Sequence, residues 1–321
     1  MIIVTGGAGM IGSNIILALN KIGIKDIIVV DDMTDGRKFI NIADLDFQDY
    51  IDKEEFLKLI KNDYNFGKVK TIFHQGACSS TTEWDGRFLM FNNYEYSKIL
   101  LNWSQKINAQ FIFASSASVY GLGKYGFREN ISCESPINPY AFSKFCFDKY
   151  LREVITKAKT QIVSLRYFNV YGPREKHKDK MASTILHFHN QVKKNNICKL
   201  FKGSEGYKNG EQMRDFIFVE DCADVNIWFM ENPLKSGIFN VGTGQARTFN
   251  SVALNVLKWH KKHNSDFNGS IEYIDFPKEL LGSYQNYTKA NLDNLRLVGY
   301  KKKFTSLEEG VIKYINWIEK N

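Results

Sequence analysis

The first twelve residues impose the strongest constraint on how this chain can fold. An apolar run, Ile2–Val4, leads directly into the glycines Gly6, Gly7, Gly9 and Gly12. The residues after the first glycines place apolar side chains at helical spacing, at Ile11, Ile15, Ile16 and Leu19. Glycines in such a turn let the backbone bend tightly and leave a helix N-terminus open to an anion. The sequence therefore predicts a strand, a turn and a helix that bind the pyrophosphate of a dinucleotide.

The alternation of an apolar run and a helical pattern recurs through the first half of the chain. The apolar runs are Ile2–Val4, Ile27–Val30, Val69–Phe73, Phe111–Phe113 and Ile162–Leu165. Strands that alternate with helices form parallel sheets covered by helices on both faces. The sequence therefore predicts an α/β fold built on a Rossmann-type, doubly wound parallel sheet.

After about residue 170 the rhythm changes, and glycine-containing loops separate shorter elements. We predict a Rossmann domain over residues 1–170 and a smaller C-terminal α/β substrate-binding domain over 171–321, with chain exchange back to the first domain as an option. The elements predicted in this half are a helix over Ala182–Lys193, a strand over Phe216–Val219, a helix capped by Asp221 and a helix over Leu307–Ile318.

Two carboxylates end the second predicted strand. Asp31 and Asp32 follow Gly12 by about twenty residues, the distance at which a carboxylate meets the adenosine ribose in dinucleotide-binding folds. Arg37 and Lys38 come directly after them and are expected to attract a phosphate. The same end of the sheet is thus predicted to hold the ribose.

Ser116, Tyr140 and Lys144 are the residues expected to perform the chemistry. Tyr140 and Lys144 are four positions apart, so on a helix they share a face, and an ammonium beside a phenol favours the phenolate. An unperturbed tyrosine has a pKa of about 10 and is a poor base near neutrality. Ser116 ends an apolar strand and is expected to hydrogen-bond the reacting oxygen. Alone, the Tyr-Lys spacing is usual for a helix surface; with the glycine turn it predicts hydride transfer between an alcohol and a nicotinamide cofactor.

Composition and charge exclude several other classes of protein. The chain has 321 residues, a net charge of +8 and lysines scattered in short clusters, which favours solvated faces over a nucleic-acid surface. No apolar run approaches the roughly 20 residues that span a bilayer, and the first strand leaves no room for a signal peptide. Five widely spaced cysteines argue against disulfides and a zinc site. We therefore expect a cytoplasmic protein with no metal, no membrane and no nucleic-acid partner.

Four further segments carry a resemblance to a known family. They are Gln75–Asp85, Arg166–Glu175, His177–Lys178 and Phe201–Ser204. With the glycine turn and the Ser-Tyr-Lys set, the chain resembles the ADP-L-glycero-D-manno-heptose 6-epimerases, nucleotide-sugar epimerases of the extended short-chain dehydrogenase/reductase type. The resemblance runs from the first residue to the last helix, and the segment Ala77–Trp84 is unlike its counterpart in UDP-sugar epimerases.

The resemblance implies interconversion of ADP-D-glycero- and ADP-L-glycero-β-D-manno-heptose, the latter being the donor for the lipopolysaccharide inner core. Carbon 6 of the heptose is oxidised to a ketone and reduced again from the opposite face, with no net redox change. This family uses two bases, which correspond here to Tyr140 and Lys178. Without the resemblance, Lys176–Lys180 reads as a solvated charged loop.

The resemblance also implies tightly held NADP, with NAD as the alternative, and a homo-oligomer, described for this family as a pentamer. The fingerprint glycines and the residues beyond the predicted strands are expected to line the cofactor. These residues are Gly6, Gly9, Met10, Ile11, Gly12, Asp31, Asp32, Lys38, Lys53, Gln75, Gly76, Ala77, Cys78, Ser79, Asn92, Lys144, Val170 and Lys178.

A second set of residues is expected, by the same resemblance, to hold the sugar nucleotide. Arg214 suits a pyrophosphate because its planar fork makes paired, charged hydrogen bonds. The full set is Asn169, Lys180, His187, Phe201, Lys202, Gly203, Ser204, Arg214 and Tyr284. Alone, His187 and Tyr284 would be interpreted as ordinary surface or packing residues.

Three departures from the family pattern bear on this transfer. Lys180 stands where a small hydroxyl residue is expected, and the loop of residues 205–213 before Arg214 looks longer than usual. Asp32 replaces a neutral Asn, and two adjacent carboxylates would repel a ribose 2′-phosphate that Arg37, Lys38 and Lys53 would attract. NADP stays favoured over NAD.

Two alternative functions remain on the sequence. A UDP-sugar 4-epimerase or dehydratase would share the Ser-Tyr-Lys set, and Lys178 and the segment Ala77–Trp84 argue against it. A non-catalytic dinucleotide-sensing protein would be expected to have lost one of the catalytic residues, and all of them are present.

Overall fold

The computed structural model describes residues 1–277 and 284–321. The strands, in chain order, are β1 (Ile2–Thr5), β2 (Ile27–Asp31), β3 (Asp49–Asp52), β4 (Thr71–His74), β5 (Gln110–Ser116), β6 (Ile162–Tyr167), β7 (Asn169–Tyr171), β8 (Ile197–Phe201), β9 (Met213–Phe218), β10 (Gly237–Val241), β11 (Ala246–Thr248) and β12 (Ser270–Ile274). The α-helices are α1 (Met10–Lys21), α2 (Lys53–Lys61), α3 (Gly86–Leu89), α4 (Tyr96–Lys106), α5 (Pro139–Ile155), α6 (Thr184–Asn195), α7 (Val219–Glu231), α8 (Phe249–His263), α9 (Asp293–Leu297) and α10 (Leu307–Ile318).

The central sheet has the strand order β10-β6-β5-β4-β1-β2-β3, and every neighbouring pair is parallel. This order confirms the predicted doubly wound Rossmann-type fold. The chain winds outwards from β1 in both directions, so the order reverses between β1 and β4. Ligands of such sheets bind beyond the carboxyl ends of the strands at this switch point.

The sheet is buried on both faces because successive side chains of its strands alternate between two apolar cores. Ile2 and Val4 of β1 point to one core, which also contains residues of α1 and α7. Ile3 points to the other core, which contains residues of α2, α4 and α5. A strand covered on both faces is apolar throughout rather than at every second residue, which is why these strands were readable from the sequence.

A third core lies in the C-terminal half. Strands β11, β9 and β7 form one small sheet and β12 and β8 another. Side chains of α6, α8 and α10 pack together there, including Ile185, Val252 and Val311. By contrast, α7 packs on α1, and β10 pairs with β6, so residues 219–241 lie with the Rossmann sheet.

Most predicted elements are confirmed, with shifted ends. The helix predicted from Ala182 begins at Thr184 because Ser183 caps it, and the strand predicted to end at Val219 ends at Phe218. The prediction that Asp221 caps the next helix is wrong. Asp221 lies inside α7, and its carboxylate accepts a hydrogen bond from the Thr305 amide at 2.8 Å. The Asp221 side chain therefore forms a long-range hydrogen bond instead of the local helix cap that its position in the sequence suggested.

Over the residues that the structure describes, no helix is both long and apolar enough to cross a membrane. The five cysteines are all unpaired.

Candidate active site

The glycine turn brings two loops into contact at the switch point of the sheet. Gly6 has a φ of +65°, and a Cβ added to it would lie 2.5 Å from the Gly76 nitrogen on the loop that follows β4. A Cβ on Gly12 would strike the carbonyl oxygen of Gly6. Glycine is therefore required at both positions, by conformation and close approach at Gly6 and by space at Gly12.

The amino end of α1 fits the pyrophosphate of a dinucleotide. Its N-cap is Gly9, and no side chain caps the helix, so the amides of its first turn, at Met10 and Ile11, receive no side-chain acceptor. Such amides, reinforced by the helix dipole, favour an anion. The predicted cofactor residues at this turn thus form an anion cradle of backbone atoms.

The predicted ribose end of the site contains two ion pairs. Asp31 is buried at the end of β2, where it accepts hydrogen bonds from the Ala8 amide at 2.8 Å and from Lys38 Nζ at 2.7 Å. Asp32 pairs with Lys53 at 2.8 Å, and this hydrogen bond holds the pKa of Asp32 well below its usual range. Both predicted lysines are therefore already paired with the two carboxylates.

Arg37 is occupied as well. Its guanidinium binds Asp35 and, through two hydrogen bonds of 2.9 and 2.7 Å, Asp179. The sequence predicts that Arg37, Lys38 and Lys53 stand ready for a phosphate. Each of the three cations has a carboxylate partner in the structure, which a phosphate would have to share or displace, so the attraction of a phosphate stays a prediction.

The loop Gln75–Ser79, predicted to line the cofactor, is held by a buried asparagine that the sequence analysis missed. The Asn93 side chain accepts from the Cys78 amide at 2.8 Å and donates to the Cys78 carbonyl at 3.0 Å and to Ser143 Oγ at 3.0 Å. Asn93 lies in a π-helical stretch, Met90–Glu95, between α3 and α4. The signal was an Asn-Asn pair inside a helix, since asparagine is a weak helix former and π-turns cluster at functional sites.

The predicted catalytic residues are brought together by β5 and α5. Asn138 caps α5 and Pro139 occupies its first turn, so Tyr140 and Lys144 lie on one face near its amino end. Ser116 ends β5 and forms a side-chain hydrogen bond with Tyr140. The predicted Ser-Tyr-Lys grouping therefore assembles in the structure.

Burial has the largest effect on the pKa values of this grouping. Burial raises the pKa of Tyr140, while the hydrogen bond with Ser116 lowers it. Lys144 is buried, donates to the Ala114 carbonyl at 2.7 Å and lies over the Phe113 ring. Burial lowers the pKa of Lys144 to about 7. In the chain by itself Lys144 thus does not draw the pKa of Tyr140 below its usual value.

Lys178 lies in the turn Lys176–Met181, which reaches across to the glycine turn. Its Nζ is 3.7 Å from Met10 Sδ and 3.9 Å from the buried carboxylate of Glu175. The next residue, Asp179, has a φ of +46°, in the left-handed region that non-glycine residues rarely adopt. Lys178 therefore lies beside the first residue of α1 and is not part of a freely solvated loop.

Arg214 is a buried cation. Within the described residues its guanidinium forms no ion pair; it donates to the Met213 carbonyl at 2.9 Å and lies 4.8 Å from the Tyr284 ring. Burial lowers the pKa of Arg214. A buried charge is costly unless it is compensated, so this site favours an incoming anion.

The other predicted substrate residues fall into two groups. Phe201 and Tyr284 are in ring contact beside Arg214, Gln212 donates to Ser204 Oγ, and Gly203 donates to Asn209. Lys202 is exposed and pairs with Asp275. Lys180 and His187 line a separate open cavity with Lys176 and Asp179.

Three of the remaining predicted residues lie on β7 and in the π-helical stretch Met90–Glu95. Asn169 and Val170 belong to β7, and the Asn169 side chain accepts from Thr288 at 3.3 Å. Asn92 accepts a hydrogen bond of 3.4 Å from Lys53.

The model of the NAD-dependent epimerase/dehydratase family matches residues 2–242. The chain belongs to this family. The match covers the glycine turn, the Ser-Tyr-Lys grouping and the turn that contains Lys178. A nicotinamide dinucleotide is accordingly the cofactor of the family fold, and the anion cradle at α1 fits it.

Three solved structures of this epimerase/dehydratase type are similar over almost the whole chain. The ADP-L-glycero-D-manno-heptose-6-epimerase of Helicobacter pylori is 33% identical, with a TM-score of 0.82 and coverage of 99% of this chain and 96% of that one. The UDP-N-acetylglucosamine 4-epimerase of Methanobrevibacter ruminantium is 26% identical, with a TM-score of 0.83 and coverage of 99% and 98%. The UDP-glucose 4-epimerase of Thermotoga maritima is 26% identical, with a TM-score of 0.82 and the same coverage.

Proposed function

We propose that this nucleotide-sugar epimerase inverts carbon 6 of ADP-D-glycero-β-D-manno-heptose to give the L-glycero epimer, the donor for the lipopolysaccharide inner core. The observation that carries the proposal is the position of Lys178 beside Met10 at the amino end of α1. It supplies a second proton-transfer group on an element separate from the α5 helix of Tyr140. The similarity to the Helicobacter pylori heptose epimerase supports the same substrate.

The proposed reaction uses the two groups in turn. Tyr140 takes the hydroxyl proton from the oxygen on carbon 6, while Ser116 hydrogen-bonds that oxygen. A nicotinamide held at the amino end of α1 would supply the acceptor and donor of hydride for carbon 6. The ketone turns within the site, and Lys178 then protonates the oxygen as carbon 6 is reduced from its other face. The substrate regains one proton and one hydride, so the reaction is an isomerisation; proton exchange with solvent would return Tyr140 and Lys178 to their starting states.

The substrate diphosphate is proposed to bind Arg214. This buried, planar guanidinium can donate hydrogen bonds to two phosphate oxygens at once, and the Tyr284 ring lies against it. Lys180 and His187, in the cavity next to the Lys178 turn, are proposed to contact the heptose. Lys180 stands where the family pattern has a small hydroxyl residue. Its longer side chain would reach a heptose hydroxyl from a greater distance than a serine or threonine.

NADP is the proposed cofactor, and NAD is the alternative. Lys38 and Lys53 lie at the ribose end, where a 2′-phosphate would share them with Asp31 and Asp32. Denaturation of the purified protein followed by chromatography of the released nucleotide decides between the two. Release of NAD alone would overturn the NADP assignment.

The unpaired cysteines support a reducing compartment such as the cytoplasm. A homo-oligomer, a pentamer by family resemblance, is proposed for the assembly. Light scattering on the eluted protein measures its mass, and a monomer would overturn this part of the proposal.

A UDP-sugar 4-epimerase is the second candidate, because two similar structures have this activity and the Ser-Tyr-Lys grouping would serve it equally. The deciding experiment incubates the purified protein with ADP-heptose, UDP-galactose or UDP-N-acetylglucosamine and follows epimer formation by NMR. We expect turnover of ADP-heptose. Turnover of a UDP-sugar with none of ADP-heptose would overturn the proposed substrate.

A further inference from the structure

Three consecutive residues of β5 bond to three residues of α5 that are spaced four apart. The Ala114 carbonyl accepts from Lys144 Nζ at 2.7 Å, and Ser115 Oγ donates to Asp148 at 2.9 Å. Ser116 forms its side-chain hydrogen bond with Tyr140. Residues at intervals of four lie on one face of a helix, so Tyr140, Lys144 and Asp148 face the end of β5 together.

Asp148 has no part in the chemistry described above, yet its carboxylate is fully buried and fully used. It accepts hydrogen bonds from Ser115 Oγ, from Ser164 Oγ at 2.6 Å and from Arg166 Nε at 2.8 Å. Arg166 is itself wholly buried; its Nη2 donates to Glu134, and its Nη1 donates to the Tyr120 hydroxyl at 2.9 Å. A buried carboxylate stays ionised only when it is compensated in this way.

The two serines that donate to Asp148 lie on different strands. Ser115 lies between Ala114 and Ser116, whose oxygens bind the two catalytic residues of α5. Ser164 lies on β6, and its hydroxyl donates to the other carboxylate oxygen of Asp148. The hydrogen bond from Ser115 thus fixes the position of β5 relative to the face of α5 that carries Tyr140 and Lys144. The hydrogen bond from Ser164 does not.

We propose that Asp148 is a positioning residue, which holds Ala114–Ser116 in register with Tyr140 and Lys144 through Ser115 and supplies negative charge behind the Lys144 ammonium. The proposal rests on Tyr140 and Lys144 being the catalytic pair. It does not depend on which nucleotide sugar is the substrate.

The charges that face Lys144 support this role. Asp148 on its own helix and Cys78 on the loop after β4 both raise the pKa of Lys144, against the larger effect of burial. His74, at the end of β4, is held neutral because burial and Lys144 lower its pKa well below the usual value. Removal of the Asp148 charge should therefore make Lys144 lose its proton at a lower pH.

The test compares Ser115→Ala with Ser164→Ala, a matched pair, since each removes one hydroxyl donor from the same buried carboxylate. Turnover is measured with whichever nucleotide sugar the unaltered protein epimerises. We expect Ser115→Ala to lower kcat by about tenfold or more, because misplacement by about 1 Å can cost about 10²-fold. We expect Ser164→Ala to stay within about twofold, although both should lower the melting temperature similarly.

Asp148→Asn provides the pH readout, with Glu134→Gln as its control because Glu134 binds the same Arg166 away from β5. We expect the alkaline limb of the rate profile to move to lower pH in Asp148→Asn alone. Equal kcat values for the two serine variants, or equal profiles for the two acid variants, would overturn the positioning role. Full turnover by Tyr140→Phe would instead show that the catalytic assignment has failed, which separates the two failures.

Discussion

Arg37 holds Asp179 through two parallel hydrogen bonds of 2.9 and 2.7 Å, across 142 positions of sequence. Arg37 belongs to the segment that follows Asp31 and Asp32, and Asp179 directly follows Lys178. A second contact, 3.0 Å between Asn41 and His177, joins the same two segments. The turn that contains Lys178 is therefore bound to the segment that follows β2, at the predicted ribose end of the site.

We expect Asp179→Asn to slow epimerisation by about two- to fivefold, because the exposed ion pair orients the Lys178 turn but is screened by solvent. The charge-reversed double variant, Arg37→Asp with Asp179→Arg, should have a kcat closer to that of the unaltered protein than either of its two single variants. Steady-state kinetics at low and high salt checks this. A double variant no better than its singles would show that the pair does not orient the turn.

Tyr140→Phe should abolish epimerisation or slow it by about 10² to 10⁴, since only the proton-transfer hydroxyl is removed. Cofactor content, measured by absorbance after denaturation, should stay close to that of the unaltered protein. Wild-type turnover in this variant would assign the base to another residue.

Lys178→Met should block epimerisation of the natural substrate, because inversion needs a proton donor for the second face of carbon 6. An analogue with an aldehyde at carbon 6 separates the roles, since its dismutation needs no inversion and should continue with Tyr140. Lys176→Met is the matched control, as Lys176 opens the same turn and lies over the Trp317 ring. Equal epimerisation by both variants would return Lys178 to the status of a surface lysine.

Asp32→Asn should tighten NADP binding by about fivefold and leave NAD binding unchanged, because one carboxylate that repels a 2′-phosphate is removed and Lys53 is released. Because Lys53 keeps the pKa of Asp32 far below neutrality, this repulsion is present at every pH near neutral. Titration calorimetry on protein freed of nucleotide measures the effect, with Asp35→Asn as the control. Equal changes in NADP and NAD affinity would count against a 2′-phosphate at this site.

Arg214→Met should raise KM for the sugar nucleotide by about tenfold or more, since it removes a charged fork from the proposed diphosphate site. Lys202→Met, a change of the same kind at an exposed residue that pairs with Asp275, should have little effect. Initial-rate kinetics compares the two. A larger effect of Lys202→Met would move the diphosphate away from Arg214.

The sequence by itself determined the sheet, the glycine turn and the face of α5 that Tyr140 and Lys144 share. Each rests on a short-range rule: strands buried on two faces are apolar throughout, Gly6 needs a positive φ, and residues four apart share a helix face. The sequence also carried the resemblance through which Lys178 was assigned.

Only the tertiary structure decided the hydrogen-bond partners of the charged side chains. Arg37 donates to Asp179, and Lys38 donates to Asp31. Lys144 donates to the Ala114 carbonyl, and Asp221 accepts from Thr305 instead of capping its helix. These pairings join segments that local spacing cannot relate. A charged group in a cleft takes whichever opposite charge or carbonyl the fold brings within hydrogen-bonding distance, and that distance exists only once the elements have packed.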